Sequence, residues 1–174
     1  MKKLIIYLIL LFINISNSQS FKQFWNSLYI QKCDSVFLIK ELKGNSYFQG
    51  YDFIDSMRVF IAYQKEGYSE AVTVLSIYNI EVKSEMVLGE LGLTGESTFS
   101  YNIENELILF NLDDGIYVLK IEEAINKDLR PKLIYECDNC YLPFWINSNT
   151  ICYFYYSDGK KMQKYIQLDP LIKK

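Results

Sequence analysis

The sequence predicts an all-β chain of antiparallel meanders preceded by a short N-terminal helix. Runs rich in Val, Ile, Phe and Tyr recur between clusters of Gly, Asp and Asn, which is the pattern of many short strands. The 15 Tyr and 11 Phe suit pleated, half-buried surfaces. At 50% hydrophobic and 22% charged, the 174 residues carry the apolar content of a folded chain rather than a disordered one.

Residues 1–18 read as a secretory signal peptide. Lys2 and Lys3 form the positive start, residues 4–13 an unbroken apolar run, and Ser16 and Ser18 the small residues of a cleavage site. A ten-residue helix rises roughly 15 Å, about half the thickness of a bilayer core. The mature chain is then residues 19–174, one all-β domain with no membrane span, in the periplasm or outside the cell. Losing Lys2 and Lys3 moves the formal charge from −3 to −5. That acidity, with Arg58 and Arg130 the only arginines, excludes nucleic acid as the main partner.

After the leader, Phe21, Phe24, Trp25 and Leu28 recur at i, i+3, i+4 and i+7, which predicts a helix over 21–29. Residues 35–39 read as a strand. A weak repeat follows, with copies over about 47–90, 91–137 and 138–169. Aligned without gaps, Phe53 followed by Val59-Phe60-Ile61-Ala62-Tyr63 superposes on Tyr101 followed by Leu107-Ile108-Leu109-Phe110-Asn111. Both superpose on Trp145 followed by Ile151-Cys152-Tyr153-Phe154-Tyr155. The copies are offset by 48 residues (Val59 to Leu107) and 44 (Leu107 to Ile151). Gly67, Gly115 and Gly159 each follow the strand start by eight residues and are expected to supply the positive φ of the next hairpin turn. An apolar residue followed by an acid closes each copy: Ile80-Glu81, Ile121-Glu122 and Leu168-Asp169.

The middle strand of the third copy has no polar face. Ile151, Tyr153 and Tyr155 point one way while Cys152, Phe154 and Tyr156 point the other, so both sides need cover. Pro143-Phe144-Trp145 through Tyr153-Phe154-Tyr155-Tyr156-Ser157-Asp158-Gly159-Lys160 to Tyr165-Ile166-Gln167-Leu168 resembles a blade of the TolB-like and WD-type periplasmic β-propeller families. In those blades a Pro-x-Trp strand is followed by a Ser-Pro-Asp-Gly turn, an apolar strand and a Gly-containing hairpin. Here the first turn is shortened to Asn147-Ser148-Asn149. The resemblance implies an incomplete propeller, because three copies fall short of the four to eight blades that close one. The terminal faces then need a cap: residues 21–42, a second copy of the chain, or another protein. A β-sandwich or open barrel is the alternative architecture.

The chain has no His, which removes Ser-His-Asp and Cys-His nucleophile systems and His-ligated metals. Asp113-Asp114-Gly115 is a turn that needs no ion, and no Gly-rich nucleotide loop is present, so neither a cofactor nor a metal is expected. Cys33, Cys137, Cys140 and Cys152 in an exported chain favour disulfides, with three pairings open. Strand-like residues on both sides of Cys137-Asp138-Asn139-Cys140 argue against a redox dithiol, which opens a helix. Tyr141, Trp145, Tyr153, Tyr155 and Tyr156 are the candidate binding residues, since Tyr and Trp anchor protein and sugar contacts. The expected function is a non-catalytic interaction module whose partner is an envelope or extracellular protein, or another copy of itself. The alternative is a ligand- or carbohydrate-binding β domain using the same Tyr/Trp surface.

Overall fold

The computed structural model describes residues 19–24, 26–32, 35–65, 72–92, 97–126 and 129–168. The leader, Cys33 and Gly67 lie outside them. The chain divides into two compact units, the first ending at Asn45 and the second beginning at Ser46.

The first unit is a meander of β1 (Gln19–Phe24), β2 (Ser27–Lys32) and β3 (Ser35–Glu41), in that order across the sheet. The helix expected over 21–29 does not form. Phe24 pairs with Ser27, so the chain reverses in the middle of the aromatic stripe. Asn26 and Ser27 are poor helix formers whose side chains compete for the backbone. Asn26 instead bonds Leu42 twice: its Nδ2 donates to the Leu42 carbonyl (2.5 Å), and its own carbonyl accepts from the Leu42 N–H (2.8 Å). Beyond the turn, Leu28 and Ile30 are buried at the two-residue spacing of a strand.

The second unit holds three sheets, each an antiparallel meander in chain order. The first contains β4 (Tyr47–Phe53), β5 (Arg58–Lys65), β6 (Val72–Asn79) and β7 (Ser84–Leu91). The second contains β8 (Phe99–Asn102), β9 (Leu107–Leu112), β10 (Gly115–Lys120) and β11 (Lys132–Glu136), with one short helix, α1 (Ile121–Ile125), between the last two. The third contains β12 (Cys140–Asn147), β13 (Thr150–Ser157) and β14 (Lys160–Gln167). The structure is almost all β and none of the sheets closes on itself.

Each sheet is locked by the same backbone bond. The residue just past the third strand donates its N–H to the carbonyl just before the second: Ile80 to Met57 (2.8 Å), Ile121 to Glu106 (2.9 Å) and Leu168 to Asn149 (2.8 Å). The Leu42–Asn26 bond of the first unit is a fourth instance, outside the three repeat copies. The turn ahead of the second strand is held by a side-chain oxygen. Asp55 accepts from the N–H groups of Met57 (2.9 Å) and Arg58 (2.7 Å), Asn102 from Glu104 (2.9 Å) and Asn105 (3.1 Å), and Asn147 from Asn149 (2.9 Å). Asx turns of this kind replace the Pro-Asp-Gly turn of the similar families. The Met57 N–H first, then the Arg58 guanidinium, hold the Asp55 carboxyl below its ordinary pKa.

The expectation for the hairpin glycines divides. Asp158 (φ 51°) and Gly159 (φ 72°) both lie in the left-handed region, as a two-residue hairpin turn requires. Gly115 does not have positive φ. Its constraint is space, because a Cβ there would lie 2.4 Å from the Tyr135 carbonyl oxygen of β11.

The first strands of the three sheets, β4, β8 and β12, lie beside one another. Asp52 of β4 accepts the Tyr101 N–H of β8 (2.7 Å), and the Trp145 indole of β12 donates to the Ser100 carbonyl (3.4 Å). Burial raises the Asp52 pKa, opposed by its bonds from Tyr101 and Ser100. Two hydrophobic layers fill the space between the sheets. Phe60, Ala62, Leu75 and Leu88 meet Ile108, Phe110 and Leu119 in one, while Leu107, Leu109, Ile116 and Val118 meet Ile151 and Tyr153 in the other. β9 therefore buries both faces, with alternate residues sent to opposite layers.

Candidate interaction face

The third sheet differs from the second in that, among the described residues of the second unit, another sheet covers only one of its faces. On β13, Ile151, Tyr153 and Tyr155 face the second sheet, joined by Cys140 and Trp145 of β12 and Ile166 of β14. Tyr153 is packed 5.5 Å from the Tyr135 ring and 6.1 Å from the Tyr155 ring. Lys164 Nζ reaches the Tyr135 hydroxyl (2.7 Å), which lowers that phenol's pKa, whereas burial first and Tyr135 second push the Tyr153 phenol up.

The opposite face is aromatic and turned away from the second sheet. Tyr141 stacks on Tyr156 with centroids 5.2 Å apart and planes at 19°, and Phe154 lies 6.1 Å from both Tyr141 and Phe144. Register explains the grouping: Tyr141 is opposite Phe154, Phe144 opposite Cys152, and Tyr156, Phe154 and Cys152 opposite Lys161, Gln163 and Tyr165. Lys161 Nζ sits 4.0 Å from the Phe154 centroid and 5.4 Å from that of Tyr141, a cation–π contact that leaves its charge at the surface. Gln163 donates to the Cys152 sulfur (2.9 Å) and to the Tyr165 hydroxyl (2.8 Å). Tyr156 is 62% exposed and Tyr165 59%.

At one end this face runs into a cleft of about 440 Å³ whose walls include Asn111, Asp113, Asn139, Tyr141 and Tyr156. A disulfide joins Cys137 to Cys140 and closes a small ring around Asn139, whose φ is 64°. Desolvation first, with the Tyr156 hydroxyl alongside, raises the Tyr141 pKa. Cys152, a candidate for pairing on the sequence, is a buried free thiol. Among the described residues no three Cys, Asp or Glu side chains come together where an ion could be held, and no helix is long and apolar enough to cross a membrane.

The structure thus divides the five aromatic candidates. Tyr141 and Tyr156 lie on the open face, while Trp145, Tyr153 and Tyr155 belong to the layer against the second sheet. Phe144, Phe154, Lys161, Gln163 and Tyr165 join the open face. The alternation along β13 already pointed Phe154 and Tyr156 the same way; their neighbours follow only from the register of β12 and β14.

No protein-family model matches the chain, and no curated protein matches its sequence. Among solved structures it is similar to the crystal structure of TolB from Acinetobacter baumannii, at 10% sequence identity and a TM-score of 0.59. The match covers 83% of this chain and only 35% of that one. The chain is TolB-like in fold, over about a third of TolB's length.

Proposed function

We propose that the chain is an exported, non-catalytic protein-interaction module that docks an envelope or extracellular protein on the open aromatic face of its third sheet. The observation that carries this reading is that face itself. β9 is covered on both sides by layers of the same fold, whereas Phe144, Phe154, Tyr156 and Tyr165 face away from the second sheet. Tyr156 and Tyr165 are exposed while Phe144 and Phe154 lie half-buried beneath them, and an aromatic cluster of this kind with a cationic neighbour is what protein partners bury as anchors. The Cys137–Cys140 disulfide fits an oxidising compartment outside the cytoplasm, as does the apolar leader sequence.

The test is a cross-linked pull-down of the tagged mature protein from the envelope fraction of its host, comparing wild type with Tyr156→Asp and with Val82→Asp. Val82 is exposed in the turn between β6 and β7, away from the third sheet. One stoichiometric protein partner is expected with wild type and Val82→Asp, reduced tenfold or more with Tyr156→Asp. Equal recovery by all three chains would overturn the assignment of the face. Recovery of a glycan in place of a protein would favour carbohydrate binding at the adjoining cleft.

A further inference from the structure

We propose that the outer edge of β14 accepts an extended acidic segment of the docked partner as a fourth strand of the third sheet. This inference rests on the interaction reading of that sheet and names the element that the partner supplies. Topology is the first support. The other two sheets of the second unit each carry a fourth antiparallel strand, β7 and β11, whereas among the described residues the third sheet ends at β14.

Geometry is the second support. β14 pairs with β13 without interruption from Lys160 opposite Ser157 to Gln167 opposite Thr150. The ladders that carry β7 and β11 both contain a register shift, which bends an edge, and the β13–β14 ladder contains none. A two-residue turn at Asp158-Gly159 makes Ser157 and Lys160 a hydrogen-bonded pair. Alternation then turns the backbone groups of Lys160, Met162, Lys164 and Ile166 toward β13. Those of Lys161, Gln163, Tyr165 and Gln167 point outward, in the spacing an added antiparallel strand needs.

Charge selects the occupant. β14 carries Lys160, Lys161 and Lys164 and no acid. Lysines along an edge disfavour a second copy of the same strand, because pairing would bring two sets of three positive charges together, and they favour a strand bearing Asp or Glu. The first unit also ends on an edge strand, β3, but there Lys40 is followed by Glu41 and no single sign dominates.

The test uses the mature full-length chain, labelled for amide exchange, with a blocked synthetic peptide of eight alternating glutamate and valine residues. The peptide is expected to slow exchange at the Lys161, Gln163, Tyr165 and Gln167 amides at least tenfold. A peptide with lysine in place of glutamate should not. Gln163→Pro, which removes an outward N–H without touching the β13 ladder, should abolish the slowing. Should that variant fail to fold, Lys160→Glu with Lys164→Glu should weaken the glutamate peptide and admit the lysine one. No slowing at these amides, equal slowing by both peptides, or protection of the same amides in a peptide-free dimer would each overturn the proposal. The reading of the open face fails on the Tyr156→Asp pull-down, and the edge fails on this exchange experiment.

Discussion

Phe110→Ala is expected to destabilise the second unit by about 3–5 kcal/mol. Phe110 has no exposed surface, and its ring is stacked between Phe99 (5.0 Å, 16°) and Tyr117 (5.9 Å, 19°). It also belongs to the layer holding Phe60, Leu75 and Leu88 of the neighbouring sheet, so truncation opens a cavity between two sheets rather than at an edge. The loss combines the transfer free energy of the ring with the contacts its neighbours cannot remake. Single domains are commonly stable by about 5–15 kcal/mol, so this one truncation removes a large share of the total. Urea unfolding followed by aromatic fluorescence measures the difference. A loss below about 1 kcal/mol would mean that the two sheets do not pack through this ring.

Gly50→Ala should cost about 3 kcal/mol, an unusually large loss for a single added methyl. A Cβ at residue 50 would lie 2.0 Å from the Phe99 carbonyl oxygen and 2.7 Å from its carbonyl carbon. These are backbone atoms of β8, so relief requires the first and second sheets to move apart rather than a side chain to turn. Gly50 also sits at the register shift between Phe48 and the rest of β4, where a small residue is commonly found. Asp52, two residues on, accepts the Tyr101 N–H, and a shift of β4 would lengthen that bond as well. Gly92→Ala provides the contrast, because a Cβ there meets nothing within 4 Å. Equal unfolding midpoints for the two variants would contradict the close approach of β4 and β8.

The strands were legible where residue alternation and burial agree. β13 reads as apolar on both faces, and it is the second strand of its meander. The aromatic stripe near the N-terminus was misleading because its spacing fits a helix, while the reversal at Asn26 depends on two bonds to Leu42, sixteen residues away. No local pattern carries that information. For the same reason the meander of the first unit shares no sequence motif with the three copies: its mark is a backbone bond between distant residues. Gly115 shows a related limit, since a glycine required by the approach of Tyr135 looks in sequence like one required by φ. The five aromatic binding candidates share one sheet but not one face. Assigning Tyr153 to the interior and Tyr156 to the open side needs the neighbouring sheet, which covers one side of β13 and leaves the other open.

The most direct measurement is site-specific photo-cross-linking in the native host, with benzoylphenylalanine placed in turn at positions 156 and 153. These positions lie on the same strand three residues apart and differ in which face of the sheet they occupy, Tyr156 being 62% exposed and Tyr153 2%. The account predicts a discrete adduct to one other protein from position 156 and none from position 153. Adducts of equal yield from both positions, or none from position 156, would contradict a partner docked on the open face.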